Sequence, residues 1–310
     1  SNPQQEPGLM GPLGEALRSL RSEIKQWRVN PSPVWGLPTG LPALDMKTGG
    51  LQDGDLVLIA ARPSMGKSAL GFQIGFNVAE YFRDHLDGSM VAMFSAEMPK
   101  RNVLIREAAR RANVPALRIR AGDITDEEEA RVERAFQELE TLPVYIEDQY
   151  GIPTWKVCKI MNSLEQDFGV RVGLVVYDYL QLSGDDGPNR AAMVGRAAQN
   201  MKALAREHWI PVIAMSQLSR EVEKRQFGKD VNSADKEPVL ADLAESGVLE
   251  QLVDGVWMIH RPGYWKRVSE GRENEVATAK LIIAKNKEGR TGPVFLTFDP
   301  MRVAFYDQTP

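Results

Sequence analysis

The sequence is poor in thiol and imidazole. Cys158 is its one cysteine, and His85, His208 and His260 are its only histidines in 310 residues. One cysteine excludes an intrachain disulfide, the scattered histidines offer no local metal-ligand spacing, and both point to a reducing compartment. No apolar run approaches the roughly 20 residues of a membrane span. The opening SNPQQEPG is polar rather than a signal sequence, so the chain reads as cytoplasmic, with no membrane partner. Ser1 is not an initiator residue, so Ser1-Asn2 reads as a cloning remnant, and the natural chain is expected to extend upstream. A net charge of −4 argues against a large, uniformly basic nucleic-acid face and leaves room for local basic loops. What the sequence does have, 43% apolar and 26% charged residues, is enough for a sizeable soluble core.

The stretch AARPSMGKSAL, from Ala60 to Leu70, carries the first chemistry. The apolar run LVLIA before it is of strand type, and ALGFQIGFNVAEYF after it has apolar residues at helical spacing. A loop joining a buried strand to a helix, with Ala61, Gly66, Lys67 and Ser68 in place, fits the phosphate-binding pattern [AG]-x-x-x-x-G-K-[ST]. The backbone of Ala61, Arg62, Pro63, Ser64, Met65 and Gly66 leading to the helix start would form the cradle, through the N–H groups of all but Pro63. Lys67 would face the terminal phosphates of ATP, and the Ser68 hydroxyl would ligate Mg2+. Ala61 departs from the usual first glycine.

Leu13, Leu17, Leu20, Ile24 and Trp27 recur at steps of four and three, which predicts an amphipathic helix. The proline-rich segment NPSPVWGLPTG then ends it. Its stripe can pack on its own domain or on a neighbouring subunit. Residues 1–33 are therefore set apart as tail and linker helix, and residues 34–310 as one α/β domain. Within that domain the runs LVLIA, MVAMFSA, LPVYIED, VGLVVYDYLQL, IPVIAMSQ and GVWMIH alternate with helical patterns. This order predicts a mostly parallel twisted sheet with helices on both faces. The late runs AKLIIAKN and GPVFLTFD predict a C-terminal antiparallel hairpin.

Asp178 ends the strand GLVVYD, where a Mg2+-organising carboxylate belongs, and shares the metal with Ser68. Glu97, after VAMFSA, is the candidate general base for the attacking water. Gln217 ends a third strand, where a neutral amide can sense the terminal phosphate.

ARPSMGKSAL, FSAEM, VVYDYLQL, PVIAMSQLSR and ESGVLEQLVDGVWMIHR, with LPTGLPALD and GGLQDGD upstream, resemble the RecA-like motor domain of the DnaB family of hexameric replicative helicases. The resemblance runs from about Leu37 to about Phe298. It implies a six-membered ring that hydrolyses ATP at subunit interfaces and draws one DNA strand through its pore, 5′ to 3′. It assigns Lys67, Ser68, Glu97, Asp178 and Gln217 the roles just given and makes Pro12 to Trp27 the linker helix that docks on the adjacent subunit. The family's N-terminal collar, which engages primase, has no counterpart here, so a primase or loader would act through a region absent from this sequence. A RecA-like ring or filament ATPase without unwinding activity is the alternative.

The family's DNA-contacting loops correspond here to SGDDGPNR with Arg190, to REVEKRQFGKDVNSADKEP with Arg220, Lys224, Arg225 and Lys229, and to AESG. Glu221, Glu223 and Asp230 dilute the middle loop, for which a solvated mixed-charge loop is the alternative to DNA contact. Ala244 stands where many members have an arginine, leaving the backbone N–H groups of Glu245, Ser246 and Gly247 for phosphate. In AKNKEGRTG, Lys285 and Lys287 occupy the family's K-x-R positions, which reach across to the neighbour's terminal phosphate. Lysine keeps the charge and loses the bidentate fork, for which Arg290 is a possible substitute.

Overall fold

In the computed structural model, whose described residues are 12–29, 31–219, 237–243 and 246–308, the alternating apolar runs assemble into one sheet. The first half comprises α1 (Pro12–Val29), α2 (Pro42–Thr48), β1 (Leu56–Ala61), α3 (Lys67–Asp84), β2 (Ser89–Ser95), α4 (Lys100–Ala112), α5 (Ala116–Ala121), α6 (Asp126–Glu140) and β3 (Val144–Glu147). Next come α7 (Thr154–Phe168), β4 (Arg171–Asp178), a 3₁₀ turn (Leu180–Leu182), α8 (Arg190–His208), β5 (Val212–Gln217) and a second 3₁₀ turn (Leu240–Asp242). The chain closes with α9 (Ser246–Leu252), β6 (Gly255–His260), α10 (Tyr264–Ser269), β7 (Ala277–Asn286), β8 (Gly292–Asp299) and β9 (Ala304–Asp307).

The strand order is β3-β2-β4-β5-β1-β6-β7-β8-β9, with β3 through β6 parallel and β7, β8 and β9 antiparallel. Every residue of β1 is buried, as a parallel strand covered on both faces must be. Its side chains divide by alternation. Val57 and Ile59 pack with α3 residues such as Leu70 and Ile74 on one face, while Leu56 and Leu58 pack with α7 and α8 residues such as Met161 and Met201 on the other. A small satellite core joins Ala108 and Ala112 of α4 to Val132 and Ala135 of α6. α6 begins on a reciprocal cap in which Thr125 and Glu128 each accept the other's backbone N–H.

Two expectations need adjusting. The C-terminal hairpin is part of a three-stranded extension, because the four residues of β9 pair with β8 and add an edge strand too short for periodicity to reveal. VGLVVYDYLQL is not strand throughout. β4 stops at Asp178, and Leu180–Leu182 turns out of the sheet.

α1 keeps its apolar stripe largely open to solvent, with Leu13 73% and Trp27 53% exposed. Glu23 and Trp27 border a cleft of about 750 Å³ whose walls include Trp35, Trp209 and Lys287. Among the described residues no helix is long and apolar enough to cross a membrane.

Candidate active site

β1 ends at Ala61, which is fully buried and paired with Gln217 on one side and Ile259 on the other. A methyl group is accommodated there, which accounts for the departure from glycine. The loop then turns through Ser64 at φ 65° and Gly66 at φ 99°. At Gly66 a Cβ would lie 2.9 Å from the Phe305 ring, so glycine answers both to the left-handed backbone and to a close neighbour. Met65 is buried beneath the loop, while Pro63 and Ser64 are exposed. α3 starts at Lys67, and its first-turn N–H groups open into a cleft of about 350 Å³ lined by the loop together with Ser68, Glu97, Tyr179 and Gln217.

Lys67 Nζ lies 2.6 Å from Asp178 Oδ1 and 4.0 Å above the centre of the Tyr179 ring. Asp178 is fully buried, and its Oδ2 has no hydrogen-bond partner. A buried carboxylate oxygen left over beside a phosphate cradle suits a divalent cation, and with the Ser68 hydroxyl in the same cleft the residues present fit Mg2+. The end of β2 is tied to the same place, because Ala96 N–H donates to the Asp178 carbonyl oxygen at 2.6 Å. Ser95 Oγ, bonded to both N–H and C=O of Met98, tightens the turn and leaves Glu97 exposed at its tip.

Two arginines that sequence reading did not single out stand here, Arg261 against the loop and Arg106 in the cleft wall. Arg261, just past the buried strand β6, is 3% exposed and donates to the Ser64 carbonyl oxygen at 3.2 Å. Its guanidinium lies 4.5 Å from the Tyr264 ring centre and 4.2 Å from that of Phe298, and burial pushes its pKa down to about 10. Arg62 sits over the Trp265 ring at 4.9 Å. Arg106 of α4 lines the cleft as well. Burial and then Arg120 lower its pKa, while Asp178 and Glu97 oppose the shift. The sequence signal for Arg261 was a charge directly after an uninterrupted buried strand. Arg106 gave none, since it falls in an arginine-rich helix.

Lys285, Lys287 and Arg290 lie at the opposite edge of the sheet from this loop. Gly255 pairs with Val57 on one side and with Asn286 on the other, so Lys287 stands beside the start of β1. β1 then runs its full length to Ala61, a separation of roughly 17 Å along the strand for six residues. Lys285 is spent within its own chain, its Nζ donating to the carbonyl oxygens of Glu250 and Val253 at 2.6 and 2.7 Å at the end of α9. Lys287 is half exposed, with Nζ 3.6 Å from Asp254 Oδ1. Asp254 also accepts from Leu56 N–H and from Lys202. Neighbouring Asp55 has its pKa pushed up to about 6, by burial first and then by the Asp254 charge. Arg290 is exposed.

Of the candidate DNA contacts, Arg190 is the exposed first residue of α8, whose N-terminus Asn189 caps by accepting from Ala192 N–H at 2.9 Å. Ser246 and Gly247 begin α9. Arg220, Lys224, Arg225, Lys229 and Glu245 lie outside the described residues, as does Ala244. The segments after β4 and β5 leave the cleft's edge of the sheet. The Leu218–Leu243 bridge, with Ser219 N–H donating to the Asp242 carbonyl oxygen at 2.9 Å, brings the approach to α9 there too.

A parallel sheet with this cradle, a carboxylate at the end of β4 and antiparallel strands beyond β6 defines a RecA-like P-loop protein. Residues 36–307 match the DnaB-like helicase C terminal domain, and the chain belongs to that family. It is 37% identical over 268 residues to the replicative DNA helicase DnaB of Geobacillus stearothermophilus, covering 86% of this chain and 55% of that one. To the replicative DNA helicase DnaC of Bacillus subtilis it is 36% identical over 289 residues, covering 92% and 60%. The chain thus spans somewhat more than half the length of these relatives. The solved ATPase domain of G40P is similar with a TM-score of 0.81 at 32% identity, covering 96% of this chain and 99% of that one. A DnaB-like replicative helicase described with its interactions with primase is similar at 0.79 and 32%, covering 96% and 67%.

Proposed function

We propose that this chain is the motor of an ATP-driven, ring-forming replicative DNA helicase moving 5′ to 3′ on single-stranded DNA. The observation that carries the reading is the Lys67–Asp178 pair beside the cleft of about 350 Å³, with Asp178 Oδ2 unpartnered and Glu97 in the cleft lining.

In this reading the loop from Ala61 to Ser68 holds the phosphates of ATP through backbone N–H groups, and Lys67 turns from Asp178 towards the terminal phosphate. Ser68 and Asp178 would hold Mg2+, which when bound would neutralise phosphate charge. Glu97 orients a water and takes its proton as the water oxygen bonds to the γ-phosphorus and the bond to the β-phosphate oxygen breaks. Gln217 meets the γ-phosphate and reports its loss to the segment after β5. Lys287, too far from its own cleft, serves the cleft of a second copy, so the site is completed only between subunits of a homo-oligomer, a hexamer by family. The segments containing Arg190 and residues 220–229, with the backbone of residues 245–247, would face the DNA strand. Residues 1–33 would form the linker and residues 34–310 the motor, working in the cytoplasm alongside a primase or loader. The relatives named as replicative helicases favour this over a ring or filament ATPase that does not unwind.

ATP turnover with and without single-stranded DNA tests the reading. Strong stimulation is expected, and turnover indifferent to DNA would remove the translocation half of it. A second expectation concerns α1, whose open stripe is suited to a neighbouring subunit. Deleting residues 1–29 should shift the mass in solution towards monomer, whereas an unchanged oligomer would mean that the helix packs on its own domain.

A further inference from the structure

Gln181 spends its whole side-chain amide on the end of a neighbouring strand. It lies in the 3₁₀ turn after Asp178 and is 9% exposed. Its Nε2 donates to Ser216 Oγ at 2.7 Å and to the Gln217 carbonyl oxygen at 3.4 Å, and its Oε1 accepts from Gln217 N–H at 3.1 Å. On one side of β5, β1 keeps pairing as far as Ala61 with Gln217, but on the other β4 stops pairing at Tyr177 with Ala214. Because β4 has turned away, the Gln217 backbone faces no strand there. The primary amide, with one donor group and one acceptor, stands in for the missing peptide.

Both ends of this connection lead elsewhere. After the turn, Asp185 is buried and accepts from Thr154 and Asn200, which anchors the segment before Arg190. After Gln217, Ser219 N–H donates to the Asp242 carbonyl oxygen. We infer that Gln181 is a positioning residue that yokes the turn after β4 to the end of β5, so that Gln217 and the segment beyond Asp178 respond to nucleotide as one unit. The inference rests on the nucleotide-site reading of Gln217 given above.

Hydrogen exchange on the full chain tests the yoke directly. Without nucleotide, Gln181→Leu should speed exchange in the peptide spanning residues 212–219, because the Gln217 N–H loses its acceptor. With a non-hydrolysable ATP analogue, the unaltered chain should slow exchange in both 180–189 and 212–219. Gln181→Leu should confine the response to one of the two. In steady-state turnover Gln181→Leu should lower kcat about tenfold, the equivalent of one buried hydrogen bond, with KM changed less than about twofold. Gln181→Leu combined with Gln217→Ala should be no slower than Gln217→Ala alone, an outcome that a merely structural loss would not produce. Should Gln181→Leu not fold, Gln181→Glu removes both donated bonds while keeping the acceptor, and the same kinetic cycle applies. Unchanged exchange in residues 212–219, or rate losses that simply multiply, would overturn the inference. A chain that neither binds nor hydrolyses ATP would instead overturn the functional reading, and nucleotide-free exchange would still decide whether Gln181 holds β5.

Discussion

Glu97→Gln is expected to bind ATP as the unaltered chain does and to hydrolyse it at least about a hundredfold more slowly, the range in which a positioned general base contributes. The substitution is nearly isosteric at an exposed turn tip, so fold and cleft should survive, and only the ability to take a proton from water is lost. Lys67→Ala should fail differently. It weakens nucleotide binding, and it leaves Asp178 fully buried with neither carboxylate oxygen paired to a side chain, a change that costs about 3 to 5 kcal/mol when a buried pair is broken. A lowered thermal midpoint should therefore accompany the binding loss in Lys67→Ala and be absent from Glu97→Gln. Fluorescent-nucleotide titration, phosphate release and thermal unfolding on both variants separate the two roles. Near-normal hydrolysis by Glu97→Gln would end its assignment as the base.

Lys287→Ala is expected to reduce turnover by on the order of 10³ while leaving nucleotide binding intact, because a cation on the transferring phosphoryl group is worth that much. The effect should act in trans. Lys287 starts at the edge of the sheet opposite its own phosphate loop, a strand length away, and among the described residues its ion pair is the 3.6 Å contact with Asp254. Half exposed, its ammonium can leave that contact for a phosphate on a second copy. Lys285 is differently placed, since its donors already close two carbonyls at the end of α9, so Lys285→Ala should disturb that helix end before it disturbs chemistry. Arg290→Ala should be milder than Lys287→Ala. Mixing Lys287→Ala with Lys67→Ala subunits should restore activity, because one class of interface then joins a sound loop to a sound lysine. A mixture that stays inactive while both variants assemble, or a fully active Lys287→Ala, would show that this lysine does not complete a shared site.

What could be read without coordinates was local. Six consecutive apolar residues before a G-K-S, helical spacing after it, and acids at the ends of apolar runs are set by neighbours within a few positions, and the parallel sheet follows from their alternation. The limits were equally local. AFYD is too short to show a period, and the residues from Tyr179 to Leu182 continue an apolar run while the backbone has already left the sheet. The sequence by itself determined the family, the element types and the identity of the phosphate loop. Only the tertiary structure decided that Asp178 Oδ2 is left over, that Arg261 donates to the Ser64 carbonyl oxygen, that Gln181 closes the end of β5, and that Lys287 lies a strand length from its own phosphate loop. The reason is the order of the strands. β1 is flanked by β5 and β6, which are distant from it in sequence, and β4 and β5 are separated by α8, so Lys67 and Asp178, 111 positions apart, or Gln181 and Ser216, 35 apart, meet only once the sheet has closed.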